Sequence, residues 1–195
     1  EKNLEMLFKN APGRVIVATF ASLLTRLAEI IKIAEKLDRK IALNGRTMEN
    51  NIQIAKNLGY IKFKKDHLIS LKDVHLQKDN KIMILTTGGQ GEPNAGLTRI
   101  ANGEHKIIQL KRTDTVIFSS SVVPGNERGV QTLQDNIARQ VDEVYNSKLL
   151  DIHSSGHCLK EDILLVLKLV KPKYVIPVHG YFFKRSVACK IAQAA

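Results

Sequence analysis

Tryptophan is absent and aromatic residues make up only 5% of the 195 positions. A platform for stacking nucleobases therefore has few residues to be built from. Cysteine occurs twice, as Cys158 and Cys189, far apart and in no metal-ligand spacing. That excludes a disulfide framework and fits a reducing compartment; Cys158 reads as a small apolar residue opening a helix rather than as a nucleophile or ligand. No apolar run approaches the roughly 20 residues of a membrane span, and Glu1-Lys2-Asn3-Leu4 is not the basic-then-apolar start of a secretory leader. A cytoplasmic location with no membrane partner is expected. Gly88-Gly89-Gln90-Gly91 lacks the glycine spacing of a dinucleotide-binding fingerprint, and no Gly-Lys-Ser/Thr follows it to make a Walker loop. There is no internal repeat and no low-complexity segment.

What is abundant is positive charge. Thirty Lys and Arg against 19 Asp and Glu leave a formal net charge of +11, which favours a polyanionic partner and speeds encounter with it. Individual basic stretches such as Lys62-Phe63-Lys64-Lys65 are short and interleaved with apolar residues, so each reads as a solvated face. The excess as a whole points to a nucleic-acid backbone, contacted through phosphate rather than base. With 44% hydrophobic residues, the chain has enough apolar surface for one or two compact domains.

Along the chain, β-type and helical patterns alternate. Gly13 to Thr19 is a β-branched run, and Phe20, Leu23, Leu24, Leu27, Ile30, Ile31, Ala34 and Leu37 then recur at helical spacing. Lys40 to Leu43 reads as a strand, and the helix carrying Ile52, Ile54, Ala55 and Leu58 ends at Gly59. Ile82 to Thr87 is a further buried strand, followed by a helix over Asn94 to Ala101. The apolar runs Ile107–Leu110 and Thr115–Ser119 flank a polar turn; a helix follows over Val130 to Ala138. Gln140–Tyr145 and Leu149–His153 are short strand candidates. This alternation predicts an α/β fold, a mostly parallel sheet with helices on both faces and ligands at the carboxyl ends of the strands. Three turns, Gly88–Gly91, Ser119–Ser121 and Ser154–Gly156, fall where such a sheet gathers anions.

Near the end stand two histidine turns, Ser154-Ser155-Gly156-His157 and Pro177-Val178-His179-Gly180, separated by an amphipathic helix over Leu159 to Val170 and the apolar strand Tyr174 to Val178. Imidazoles on strand-end loops can bind metal when neutral or meet phosphate when charged. The longer pattern, Ser-Gly-His, then an acidic pair opening a helix, then Lys171-Pro172-Lys173-Tyr174 and Ile176-Pro177-Val178-His179-Gly180, resembles the closing region of the β-CASP metallo-β-lactamase ribonucleases, ribonuclease J-like in kind. The resemblance continues upstream, in order, through Arg14–Ser22, Gly45–Asn51, Gly89–Pro93 and Val123–Glu127.

That resemblance implies a β-CASP domain over residues 1–150 and the re-entry into a metallo-β-lactamase domain, a short strand-helix segment, over 151–195. It implies the RNA-clamping part of a ribonuclease that cleaves RNA phosphodiesters, as 5′-exonuclease or endonuclease, with metal-activated water and two zinc ions in the parent. His157 falls on a catalytic histidine near the scissile phosphate, His179 on a zinc ligand, and Ser155 and Gly156, with His157, on the loop that meets RNA phosphate. Self-association of the full-length parent is also implied. The chain departs from the pattern in having no His-x-His-x-Asp-His string. A catalytic zinc needs about three protein ligands, so the chain reads as a fragment expected to be inactive and to retain no zinc. Two other readings remain open: a non-catalytic RNA-binding module, and a DNA-directed nuclease of the same type.

Overall fold

The computed structural model describes residues 2–146, 158–178 and 180–194. Six parallel strands form one sheet in the order β3-β2-β4-β1-β5-β6. The strands are β1 (Val15–Ala18), β2 (Lys40–Asn44), β3 (Leu68–Ile69), β4 (Ile82–Thr86), β5 (Thr115–Phe118) and β6 (Glu143–Asn146). β1, β4 and β5 are buried along their whole length, which is why they read as unbroken apolar runs rather than as alternating ones.

Alternation survives in where each side chain points. Val15 and Val17 join Ile41, Met83, Leu85 and Ile117 on one face, whereas Ile16 and Ala18 join Ala42, Ile84, Val116 and Phe118 on the other. The first face is covered by α1 (Lys2–Asn10), α2 (Leu24–Lys36) and α3 (Arg46–Asn57), through residues such as Phe8, Ile30 and Ile52. The second is covered by α4 (Gly96–Ala101) and α5 (Glu127–Ala138), through Leu97, Ile100, Leu133 and Ile137. Two 3-10 turns, Leu71–Leu76 and Asp79–Lys81, complete that side and seat Val74 in the same cluster. Each fully buried Leu, Ile or Phe contributes about 1.5–3 kcal/mol, so both layers are needed to hold the sheet.

Several elements differ from what the sequence suggests. α2 starts at Leu24, not Phe20, because residues 20–22 turn at the carboxyl end of β1. Ile107–Leu110 joins no ladder; it crosses the α4–α5 face with Ile108 buried. The candidate strand Leu149–His153 lies outside the described residues. Residues 174–178 form no strand among the described residues: Tyr174, Ile176 and Val178 are exposed, and an apolar run becomes a strand only where a partner strand receives its hydrogen bonds.

The chain divides into two compact units, Glu1–Ser154 and Ser155–Ala195. The second carries α6 (Lys160–Val170) and α7 (Phe182–Gln193). The Asp162 carboxylate accepts the Leu159 backbone N–H at 2.8 Å at the start of α6, and Lys171 ends that helix in a left-handed conformation. Among the described residues no helix is long and apolar enough to cross a membrane.

Candidate functional site

All six strands run the same way, so the loops that follow them collect at one edge. β1 passes its chain to α2 on one face and β4 passes its chain to α4 on the other, and a crevice opens where the two diverge. It is a cavity of about 700 Å³, walled by Thr19–Ser22 after β1, Asn44 at the end of β2 with Gly45–Thr47 beyond it, Thr87–Gln90 after β4 and Ser120 after β5.

Two helices, α2 and α3, begin at this edge. Their N-cap residues, Leu23 and Gly45, make no side-chain cap bond, so the first-turn N–H groups keep their positive potential. Gly45 has φ of 110°, and a Cβ there would stand 3.1 Å from Thr87 Oγ1. Arg46 and Arg99 add positive charge to the lining, and Glu49 and Glu92 add negative charge.

The glycine turn after β4 is held from within. Gln90 is buried; its Nε2 donates to Ser121 O at 2.9 Å and Ser120 Oγ at 3.3 Å, while its Oε1 accepts from Val123 N at 2.8 Å. One side chain therefore ties the loop after β4 to the loop after β5. Glu92 accepts the Gln90 backbone N–H at 3.1 Å. Of the N–H groups that the sequence offers to an anion in Gly88–Gly91, this one is already matched to a carboxylate. Two of the three anion-type turns do converge, Gly88–Gly91 and Ser119–Ser121; the third, Ser154–Gly156, lies outside the described residues.

His105 closes another side of the cavity. Its Nδ1 accepts backbone N–H bonds from Ile108 at 3.0 Å and Ile107 at 3.3 Å. The ring proton therefore sits on Nε2, which donates to Asn44 Oδ1 at 3.0 Å. Asn44 Nδ2 in turn donates to Thr86 Oγ1 at 3.0 Å. Burial lowers the His105 pKa below its usual value, and the Arg99 charge adds to the effect. The ring is thus kept neutral and acts as a fixed pin. No local motif marks His105 in the sequence, because its partner Asn44 lies 61 residues away.

The site residues that the sequence singles out, Ser155, Gly156, His157 and His179, all lie outside the described residues. Among the described residues no three His, Cys, Asp or Glu side chains gather closely enough to hold a metal ion.

Residues 12–137 match the family model "Ribonuclease J, beta-CASP domain", a stretch that contains the whole cavity lining. The chain belongs to the ribonuclease J β-CASP family. Residues 146–186 match a second model, "Zn-dependent metallo-hydrolase RNA specificity domain". Curated relatives include the ribonuclease J of Mycoplasma genitalium, 41% identical over 182 residues, which covers 93% of this chain and 32% of the relative. That of Synechocystis sp. is 43% identical over 178 residues, covering 91% and 28%. That of Helicobacter pylori is 42% identical over 178 residues, covering 91% and 26%. The chain thus spans about a third or less of the length of these ribonuclease J relatives.

Proposed function

We propose that this chain is the RNA-clamping part of a zinc-dependent ribonuclease that hydrolyses RNA phosphodiester bonds, as 5′-exonuclease or endonuclease, in RNA processing and decay. The observation that carries the reading is a coincidence of place. The family-matched stretch forms a crevice at the carboxyl edge of a parallel sheet, with two uncapped helix N-termini, Arg46 and Arg99 around it. Amide groups and guanidinium donors suit phosphate oxygens. The formal charge of +11 supports the same partner.

Within this proposal residues 1–150 serve as the β-CASP domain and 151–195 as part of the metallo-β-lactamase domain. Ser155 and Gly156 contact RNA phosphate, His157 acts near the scissile phosphate, and His179 is a zinc ligand of a two-zinc parent. The reading also carries a cytoplasmic location and a parent that associates with itself. Among the described residues there is no zinc cluster; in this reading the chain binds RNA and contributes His179 to the metal site.

Variants of the full-length parent test it. His179→Ala is expected to lower zinc content and activity together, because a lost ligand weakens the site. His157→Ala should leave zinc in place while slowing single-turnover cleavage by roughly a hundredfold, the scale of a positioned acid or charge stabiliser. Full zinc occupancy in the first variant, or unimpaired cleavage in the second, removes the corresponding role.

A further inference from the structure

A second cavity, of about 720 Å³, lies on the α4–α5 face between the segment 72–79 and the segment 106–111. It is as large as the carboxyl-edge crevice but sits toward the amino ends of the strands, where Arg14 leads into β1 and Asp79 precedes β4. Its charge is one-sided. The one carboxylate in the groove lining is matched: Asp79 holds Lys111 at 2.7 and 2.8 Å, while Arg14, also in the lining, is held by Asp114 at 2.6 and 2.8 Å. Lys72 and Lys106, both exposed, line the groove with no ion pair among the described residues. Gln77 and Gln109 add amide groups that can hydrogen-bond.

The groove is joined to the crevice by its own wall. His105 Nε2 is fixed to Asn44, the last residue of β2, at the carboxyl edge. Six residues later Lys111 N donates to Asp114 Oδ2 at 2.8 Å, immediately before β5 begins. The segment 105–111 therefore runs the length of the sheet from one edge to the other. One end of it lines the crevice and the rest lines the groove.

We propose that this groove is a second track for single-stranded RNA, taking the phosphate backbone onward from the carboxyl-edge crevice along Lys106 and Lys72. The inference rests on the RNA-clamping function proposed above and adds a surface to it. A chain of phosphates fits because the groove adjoins the crevice along the segment 105–111, is lined by Lys72 and Lys106, which no carboxylate pairs among the described residues, and has no Phe, Tyr or Trp in its lining, its one ring being the imidazole of His75.

The test measures binding of a labelled single-stranded RNA 20-mer to the 195-residue chain by fluorescence anisotropy across a salt series. Each phosphate contact on a single strand contributes about 0.7 to the slope of log affinity against log salt. Lys72→Gln combined with Lys106→Gln should therefore flatten the slope by about 1.4 and weaken binding at low salt. The control pair Lys32→Gln with Lys62→Gln removes two exposed lysines from the opposite, α1–α3 side and should leave the slope unchanged. Circular dichroism checks that each variant is folded. If the groove pair binds with the wild-type slope, or the control flattens it equally, the track is wrong while the RNA clamp stands. If the unaltered chain does not bind RNA at all, the clamp and the track fall together.

Discussion

Arg39 carries a charge into the interior, and among the described residues no carboxylate pairs with it. Its guanidinium donates to Gly13 O and Phe8 O at 2.9 Å, Ala11 O at 3.1 Å and Ile82 O at 3.2 Å, so it fastens the end of α1 and the turn before β1 to the start of β4. Burial pushes its pKa down, yet an arginine remains charged. Arg39→Met is expected to destabilise the chain by about 3 kcal/mol, since several buried carbonyls lose their donor at once; urea denaturation gives the number. Arg14 and Asp114 make a different arrangement, a buried ion pair with side-chain exposures of 5% and 0%. Removing one partner strands the other charge, and Asp114→Ala should cost about 3–5 kcal/mol. His105 provides a pH-dependent term. Its folded-state pKa lies below its unfolded value, so the unfolded chain binds the proton more readily. The stability it contributes is present above about pH 6.5, the ordinary imidazole value, and is lost as pH falls through the folded pKa. Thermal melts between pH 7.5 and 5 should show a shallower acid loss in His105→Gln than in the unaltered chain; equal slopes would remove His105 from the account.

Elements were legible wherever burial wrote a pattern into consecutive residues. Val15–Ala18, Ile82–Thr86 and Thr115–Phe118 stand out because both of their faces are covered. α3 and α5 stand out because only one of theirs is. β3 was illegible: two half-buried residues on one edge leave no period to detect. α1 spans only nine residues, and its signal rests on Leu4, Leu7 and Phe8. The run Tyr174–Val178 misleads in the other direction, since composition alone does not provide a partner strand. The crevice was half legible. The glycine turn and Ser119–Ser121 announce themselves, but the Gln90 bridge and the His105–Asn44 pair join residues 30 to 61 positions apart, and local pattern carries no trace of them. Gly91 shows how tightly the loop after β4 is fitted to α5. Its φ is +75°, and a Cβ would stand 2.5 Å from the Gly129 carbonyl carbon. Gly91→Ala should therefore cost about 1–3 kcal/mol from backbone conformation and crowding together. The accompanying loss of RNA affinity should exceed that of a surface substitution such as Lys32→Gln.

For the whole molecule, the balance of 30 basic and 19 acidic residues fits the proposed role of this chain as an RNA clamp. The pure 195-residue chain is expected to show no metal-dependent cleavage of a labelled RNA, because a catalytic zinc requires about three protein ligands. Robust cleavage abolished by a chelator would overturn that. The strand order has a consequence for how the chain is made. β1 is the central strand that emerges first during synthesis, yet its neighbours arrive far later, Val15 pairing with Met83 on one side and with Thr115 on the other. Until residue 118 has left the ribosome, β1 has an unpaired edge made of Val, Ile, Val and Ala, the kind of template that recruits other chains. Nascent or truncated products ending before β5 should therefore aggregate or occupy chaperones, and solubility as a function of stop position should rise sharply only once β5 is complete.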